Sequence, residues 1–235
     1  MHNFKGAIFD MDGTLLDSMP VWKRLTQGYL AQFGVHITDQ DYAVTEGFSQ
    51  PQVAQYFADR YPDLPVDAQG IMDGMDELIT ARYETIARPK DGVLDFLEGL
   101  RRRGVKMAVA TLTARRHAEK ALRDRDMLDY FDFMLTIEDI GVSKREPDIY
   151  LQSAARMGLE PAECTVFEDA PYACTTAKRA GFYVCGVAEP AYAAGETELR
   201  AASDLIIERS FDELRGKYEK RVAIGRRITY TIIVK

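Results

Sequence analysis

Long apolar runs are missing from this 235-residue sequence. None approaches the ~18 consecutive residues that a helix needs to cross a bilayer, so no membrane partner is expected. Cysteine is scarce: Cys164, Cys174 and Cys185 stand without the paired spacing of a zinc site or a thiol redox motif. A small, odd number of them fits a reducing cytoplasm better than a disulfide-stapled secreted fold. The first six residues hold no charged region followed by an apolar stretch and no cleavage site. No secretory leader is therefore expected, and the location is read as cytoplasmic. Positive charge is not in excess either. A net charge of −7 argues against nucleic acid as a partner, because duplex binding rests on neutralised phosphates. A small anionic substrate is not excluded, since it answers to the local field inside a cleft. Internal repeats and low-complexity segments are absent too.

Hydrophobic residues make up 46% of the chain and charged residues 29%, the composition of an ordinary globular protein with a core of its own. The first short apolar run, Gly6-Ala7-Ile8-Phe9, stops at Asp10, Asp12 and Gly13. Such runs, ended by turn residues, read as buried strands of a parallel sheet. Others follow at 105–111, 131–136, 164–167, 182–187 and 205–207. Amphipathic stretches of helical period lie between them, at 93–103, 114–128, 148–157 and 172–180. Strand and helix alternate from about residue 89 onward, which predicts a doubly wound α/β sheet.

Residues 17–88 differ. They hold helical patterns at 21–33, 51–61 and 72–86 but no convincing strand. That is too long for a simple crossover, so it is read as an inserted all-helical domain. The expected division is a Rossmann-like core from 1–16 and 89–215, an inserted helical cap from 17–88, and a basic tail from 216–235. The tail carries six basic residues against Glu219, a balance of +5 that leaves −12 on the remainder. It is read as a solvated extension or an added edge strand over 228–234.

In an open α/β sheet, ligands bind beyond the carboxyl ends of the strands. Asp10 and Asp12 follow the first strand, Thr111 the second, and Glu168 with Asp169 the strand at 164–167. Should that strand lie beside the first, four carboxylates would converge on one crevice. Crowded carboxylates repel or take up protons unless a cation offsets them. Mg²⁺ suits a few carboxylates together with phosphate oxygens and water. Gly13 breaks the strand so that Asp12 can turn towards the same crevice as Asp10. One carboxylate can then attack phosphorus while the other moves protons.

The run Asp10-Met11-Asp12-Gly13-Thr14-Leu15-Leu16-Asp17-Ser18 resembles the first motif of the haloacid dehalogenase-like superfamily, in its phosphatase and β-phosphoglucomutase-like branch. Val109-Ala110-Thr111 resembles the second motif, Lys144 in Ser143-Lys144-Arg145-Glu146-Pro147-Asp148 the third, and Phe167-Glu168-Asp169-Ala170 the fourth. The likeness runs from residue 6 to about 215. It implies that Asp10 forms an aspartyl-phosphate and ligates Mg²⁺, and that Asp12 is general acid and base, offering its carbonyl to the metal. Thr111 and Lys144 would hold the phosphoryl group; Asp169 and Glu168 would complete the metal site. The inserted helices would be the cap that excludes water and reads the leaving group.

Departures are Ala170 and Ala173, where relatives carry serine and glycine, and Arg145 with Glu146 beside Lys144. Relatives that isomerise sugar phosphates carry a histidine and an arginine at positions held here by Trp22 and Gln50. That favours water as acceptor, so the expected function is an Mg²⁺-dependent phosphatase acting on a small phosphorylated substrate, as a monomer or weak homodimer. A sugar-phosphate mutase is the alternative, with a metal-free dehalogenase or a non-catalytic binding protein behind it. Thr113 either touches phosphate or caps the next helix. His117 is expected at the surface, Cys174 in packing, and Lys23 and Arg24 as solvated charges.

Overall fold

The structure, a computed structural model, describes residues 4–45 and 47–214, leaving out the side chains of 21, 23, 24 and 82–86. The basic tail lies outside the described residues. Among these residues no helix is long and apolar enough to cross a membrane.

Six parallel strands form the main sheet: β1 (Gly6–Phe9), β4 (Lys106–Ala110), β5 (Phe133–Leu135), β6 (Cys164–Glu168), β7 (Tyr183–Val187) and β8 (Leu205–Ile207). Their order is β5-β4-β1-β6-β7-β8, so the first strand is central, with β4 on one side and β6 on the other. Every residue of β1 is buried, which is why its sequence is a continuous apolar run rather than an alternating one. Alternate residues still serve different layers. Ala7 and Phe9 join a core with Val109 and Phe167, whereas Ile8 joins Ala108, Ala110 and Val166. On the first face Phe9 and Phe167 stack with centroids 4.5 Å apart.

Helices close both faces. They are α5 (Val93–Arg102), α6 (Arg115–Arg123), α7 (Ile137–Ile140), α8 (Asp148–Met157), α9 (Pro171–Arg179) and α10 (Glu196–Ala202). In α5, Val93, Leu97 and Leu100 recur at helical spacing and are the residues that it buries. The fold is the doubly wound α/β sheet that the sequence predicts, with an all-helical insertion.

The insertion holds α1 (Met19–Ala31), α2 (Asp39–Thr45), α3 (Gln50–Arg60) and α4 (Ala68–Ile86). α1 and α3 both pack on α4. Gly74 lets α1 and α4 approach, since a Cβ there would stand 1.8 Å from the Tyr29 ring. Two elements are additions to the sequence reading. One is a two-stranded antiparallel ribbon of β2 (Leu16–Asp17) and β3 (Arg88–Pro89), where the chain leaves and re-enters the core. Two-residue strands are too short to show a period. The other is α2, seven residues set by a local device rather than by an apolar stripe. The Thr38 amide donates to Asp41 Oδ2 at 2.9 Å and the Asp41 amide to Thr38 Oγ1 at 3.2 Å, a reciprocal cap.

Asp41 is fully buried and also joins α2 to α3, accepting from the Tyr56 hydroxyl at 2.7 Å and from Arg60 Nε at 2.6 Å. Burial alone would raise its pKa. The Thr38 and Tyr56 hydrogen bonds and the Arg60 charge outweigh burial and hold it at about 2. Removing the carboxylate strips a cap and several charge-assisted hydrogen bonds. Asp41→Ala is expected to cost about 2 kcal/mol and lower the thermal midpoint by about 5 °C. A depressed acid stabilises above its unfolded pKa of ~3.9. The gap between variant and wild type should therefore stay constant from pH 5 to 8 and shrink as the pH falls towards 2. A gap that persists unchanged in acid would refute the account.

Candidate active site

Register decides which side chains meet. Phe9 aligns with Val109 on one side and Phe167 on the other, so the next residues of three neighbouring strands emerge side by side. Asp10 leaves β1 with its amide donating to the Phe167 carbonyl at 2.9 Å. Thr111 leaves β4, and Glu168 and Asp169 leave β6. Asp10, Thr111, Glu168 and Asp169 are all buried, and Lys144, from the loop before α8, is buried among them.

Lys144 Nζ bonds Asp10 Oδ1 and stands 2.7 Å from Glu168 Oε2. Burial works against its charge, but Asp10 and Glu168 beside it raise its pKa. Asp10 is pushed well above the usual carboxylate range by burial, then by the charges of Glu168 and Asp12, with Lys144 pulling the other way. Asp169 rises likewise through burial and its neighbours Asp10 and Glu168.

Glu168 is held on both oxygens. Oε2 also accepts from the Tyr150 hydroxyl at 2.9 Å, and Oε1 from the amides of Asp169 and Ala170 at 3.1 Å each. Asp169 Oδ1 accepts from Thr14 Oγ1 at 3.0 Å, while its Oδ2 is buried with no hydrogen-bond partner. Gly13 makes room for that carboxylate. Its φ is +87°, and a Cβ there would come 2.1 Å from Asp169 Oδ2. Both facts require glycine at this turn.

Three of the four predicted carboxylates form a cluster: one oxygen each of Asp10, Glu168 and Asp169 lie within 4.8 Å of one another. The Asp12 carboxylate is not in that cluster, although it lines the same cavity. Ser18 Oγ donates to its Oδ1 at 2.5 Å and Thr113 Oγ1 to its Oδ2 at 2.6 Å. Thr113 is not the cap of the next helix. It holds Asp12, and α6 after it has Ala114 as its N-cap with no side-chain hydrogen bond. Thr111 Oγ1 accepts from the Thr113 amide at 3.1 Å, so the two threonines share one turn.

The donor set fits a divalent cation. Three buried carboxylates converge, one has an orphaned oxygen, and their raised pKa values mark charge that needs compensation. All-oxygen ligation of this kind suits a hard ion.

A cavity of about 470 Å³ opens above the cluster and runs up under the inserted helices. Trp22 and Gln50 both line it, and the Gln50 amide also reaches the Met72 carbonyl of α4 at 3.4 Å.

His117 corrects an expectation. It is buried, not at the surface, because Asp76 of α4 reaches across from the insertion and meets its Nε2 at 2.5 Å. Arg116 pairs with the same carboxylate. Tyr150, Thr14 and Ser18 carry polar contacts that the sequence reading did not assign. Ser18 and Thr14 stood within the quoted first motif, whereas nothing in the α8 pattern marked Tyr150.

A central β1 with acids on neighbouring strand ends, a buried lysine among them and a helical insertion overhead define a doubly wound α/β enzyme with its site at the carboxyl ends of the strands. The chain belongs to the family described as haloacid dehalogenase-like hydrolase, which it matches over residues 4–181. Among curated relatives, it is 30% identical over 195 residues to validoxylamine A 7'-phosphate phosphatase of Streptomyces hygroscopicus, covering 78% of this chain and 85% of that one. It is 29% identical over 164 residues to hexitol phosphatase B of Escherichia coli, covering 69% and 74%. Its fold matches that of CbbY from Rhodobacter sphaeroides, with a TM-score of 0.75, 21% identity and coverage of 90% and 96%. It also matches β-phosphoglucomutase from Clostridium difficile, with a TM-score of 0.75, 18% identity and coverage of 92% and 96%.

Proposed function

We propose that the protein is an Mg²⁺-dependent phosphatase that hydrolyses a small phosphomonoester through an aspartyl-phosphate on Asp10. The observation that carries this reading is the buried contact of Lys144 with both Asp10 and Glu168, beside an Asp12 held by two hydroxyls. Two carboxylates in such different surroundings suit two different tasks. The phosphatase relatives support the same reaction class.

Asp10 attacks phosphorus, forming the Asp10 O–P bond as the P–O bond to the leaving alcohol breaks. Asp12 gives that alcohol oxygen its proton. Asp12 then takes a proton from a water, whose oxygen attacks the same phosphorus. The Asp10 O–P bond breaks, and inorganic phosphate and free Asp10 are regenerated. Ser18 and Thr113 fix Asp12 in place for both transfers, so little reorganisation is needed between them. Lys144, with the Thr111 hydroxyl, faces the oxygens of the transferred group. Asp10, Asp169 and Glu168, with the Asp12 carbonyl, would hold Mg²⁺, which neutralises charge between the nucleophile and the phosphoryl oxygens.

Trp22 and Gln50 at the cavity wall favour water over a second substrate molecule as acceptor. A mutase must grip a bisphosphate at both ends. Among the described residues, charged side chains line only the Asp10 end of the cavity. Purified protein with Mg²⁺ is expected to release phosphate from small phosphomonoesters, and chelation should reduce the rate at least ~100-fold. Isomerisation of a sugar phosphate without net phosphate release would overturn the reading in favour of a mutase.

A further inference from the structure

The far end of the active-site cavity has a chemistry of its own. Six aromatic side chains line the cavity: Trp22, Tyr42, Phe48 and Phe57 from the insertion, and Tyr172 and Tyr192 from the core, with Tyr172 close enough to Glu168 and Asp10 to feel their charge. Phe48 stands 36% exposed in the short link between α2 and α3, an apolar group left in water at the wall of a binding cavity. Among the described residues the charged lining is Asp10, Asp12, Lys144, Glu168 and Asp169, all at the phosphate end.

Two of the polar groups at this wall are already bonded within the insertion. The Thr45 hydroxyl donates to the Asp41 carbonyl at 2.8 Å, and the Gln50 amide to the Met72 carbonyl at 3.4 Å. A polyol entering here would trade water for apolar wall at several hydroxyls, each needing a partner. A ring would bury its faces against other rings and cover Phe48.

Resting on the phosphatase reading, we infer that the preferred substrate is a phosphomonoester with a hydroxyl-poor, aromatic leaving group, bound against the rings that the insertion contributes to the cavity. The relatives named for validoxylamine A 7'-phosphate and for hexitol phosphates share the reaction class; the preference inferred here comes from this chain's own cavity wall.

Two esters of primary alcohols, benzyl phosphate and glucose 6-phosphate, test this with leaving groups of similar acidity. With Mg²⁺, kcat/KM is expected to be at least about tenfold higher for benzyl phosphate. Equal or better turnover of glucose 6-phosphate overturns the inference.

Binding gives an answer independent of turnover, because Trp22 is the single tryptophan of the chain and lines the cavity. Its fluorescence in Asp10→Asn protein is titrated with benzyl phosphate and glucose 6-phosphate in the presence of Mg²⁺. At least about tenfold tighter binding of benzyl phosphate supports the inference. Equal affinities, or no binding of either, overturn it. Tighter binding of benzyl phosphate with no hydrolysis of any ester would uphold the cavity assignment and remove the phosphatase reading instead. Replacing Tyr42 and Phe48 together by serine is expected to abolish most of the preference, and an unchanged preference would overturn the inference.

Discussion

Asp10→Asn is expected to lower phosphomonoester turnover by at least about ten-thousandfold while leaving the protein folded. The amide occupies nearly the same volume as the carboxylate but has no lone pair able to form an acyl-phosphate at useful rates. Acid-quenched wild-type protein should carry phosphate on the peptide containing Asp10, and the variant should not. Appreciable residual turnover in the variant would mean that water attacks phosphorus directly and that Asp10 only organises the site.

The same substitution makes a second, less obvious statement about stability. Asp10 is buried with Glu168, Asp169 and Asp12 near it, and its pKa is raised. An acid whose folded pKa is raised costs nothing below its unfolded value. Above that value the unfolded chain releases the proton and the folded one resists, so stability falls as pH rises. Asn at this position removes one member of the crowd. Chelated Asp10→Asn protein at pH 7.5 should therefore melt no lower than wild type, and its advantage should grow between pH 5 and pH 8. A clear fall in its midpoint would show that the Asp10–Lys144 contact outweighs the repulsion.

Much of this centre is legible in the sequence, for a physical reason. β1, β4 and β6 are buried on both faces, so they appear as continuous apolar runs, and polar residues just after them stand out. Asp10, Glu168 and Asp169 are visible in that way, and register along three parallel strands brings them together. Lys144 lies in a loop with no period to place it. The motif resemblance located it, and no spacing argument alone could have. What was hidden depends on contacts between distant positions. His117 sits on an amphipathic helix beside two arginines, and that pattern suggests exposure. It is buried by Asp76, 41 residues earlier and in the insertion. Asp12 reaches the same crevice as expected, but the two hydroxyls that hold its carboxylate are not visible in any spacing, one coming from Thr113, 101 residues away. The helix α2 shows no apolar stripe in the sequence, because its stability lies in the Thr38 and Asp41 reciprocal cap.

Lys144→Met should have the next largest effect, and its consequences separate charge from shape. Methionine roughly matches the lysine stem in size, so the pocket stays filled while the ammonium is lost. One preorganised cation facing the phosphoryl oxygens is worth about a hundredfold to a thousandfold in rate. kcat/KM should fall by that amount. The folded state suffers too, because Lys144 is the buried cation in contact with both Asp10 and Glu168. Leaving buried carboxylates without their counter-charge costs about 3 kcal/mol, near 9 °C in thermal midpoint, in chelated protein at neutral pH. Acid should repair the deficit. With Lys144 absent, Asp10 loses the charge that opposes its burial and Asp169 keeps only the Thr14 hydrogen bond, so both hold protons further up the pH scale. The deficit should be small at pH 5 and widen towards pH 8, where deprotonation is forced. Mg²⁺ should repair it as well, by binding the folded state alone, and should raise the midpoint of the variant more than that of wild type. A variant whose midpoint matches wild type at every pH, and gains no more from Mg²⁺, would show that the lysine serves phosphate and not the carboxylates. A large deficit that neither acid nor Mg²⁺ reduces would trace the loss to packing around Tyr150 instead.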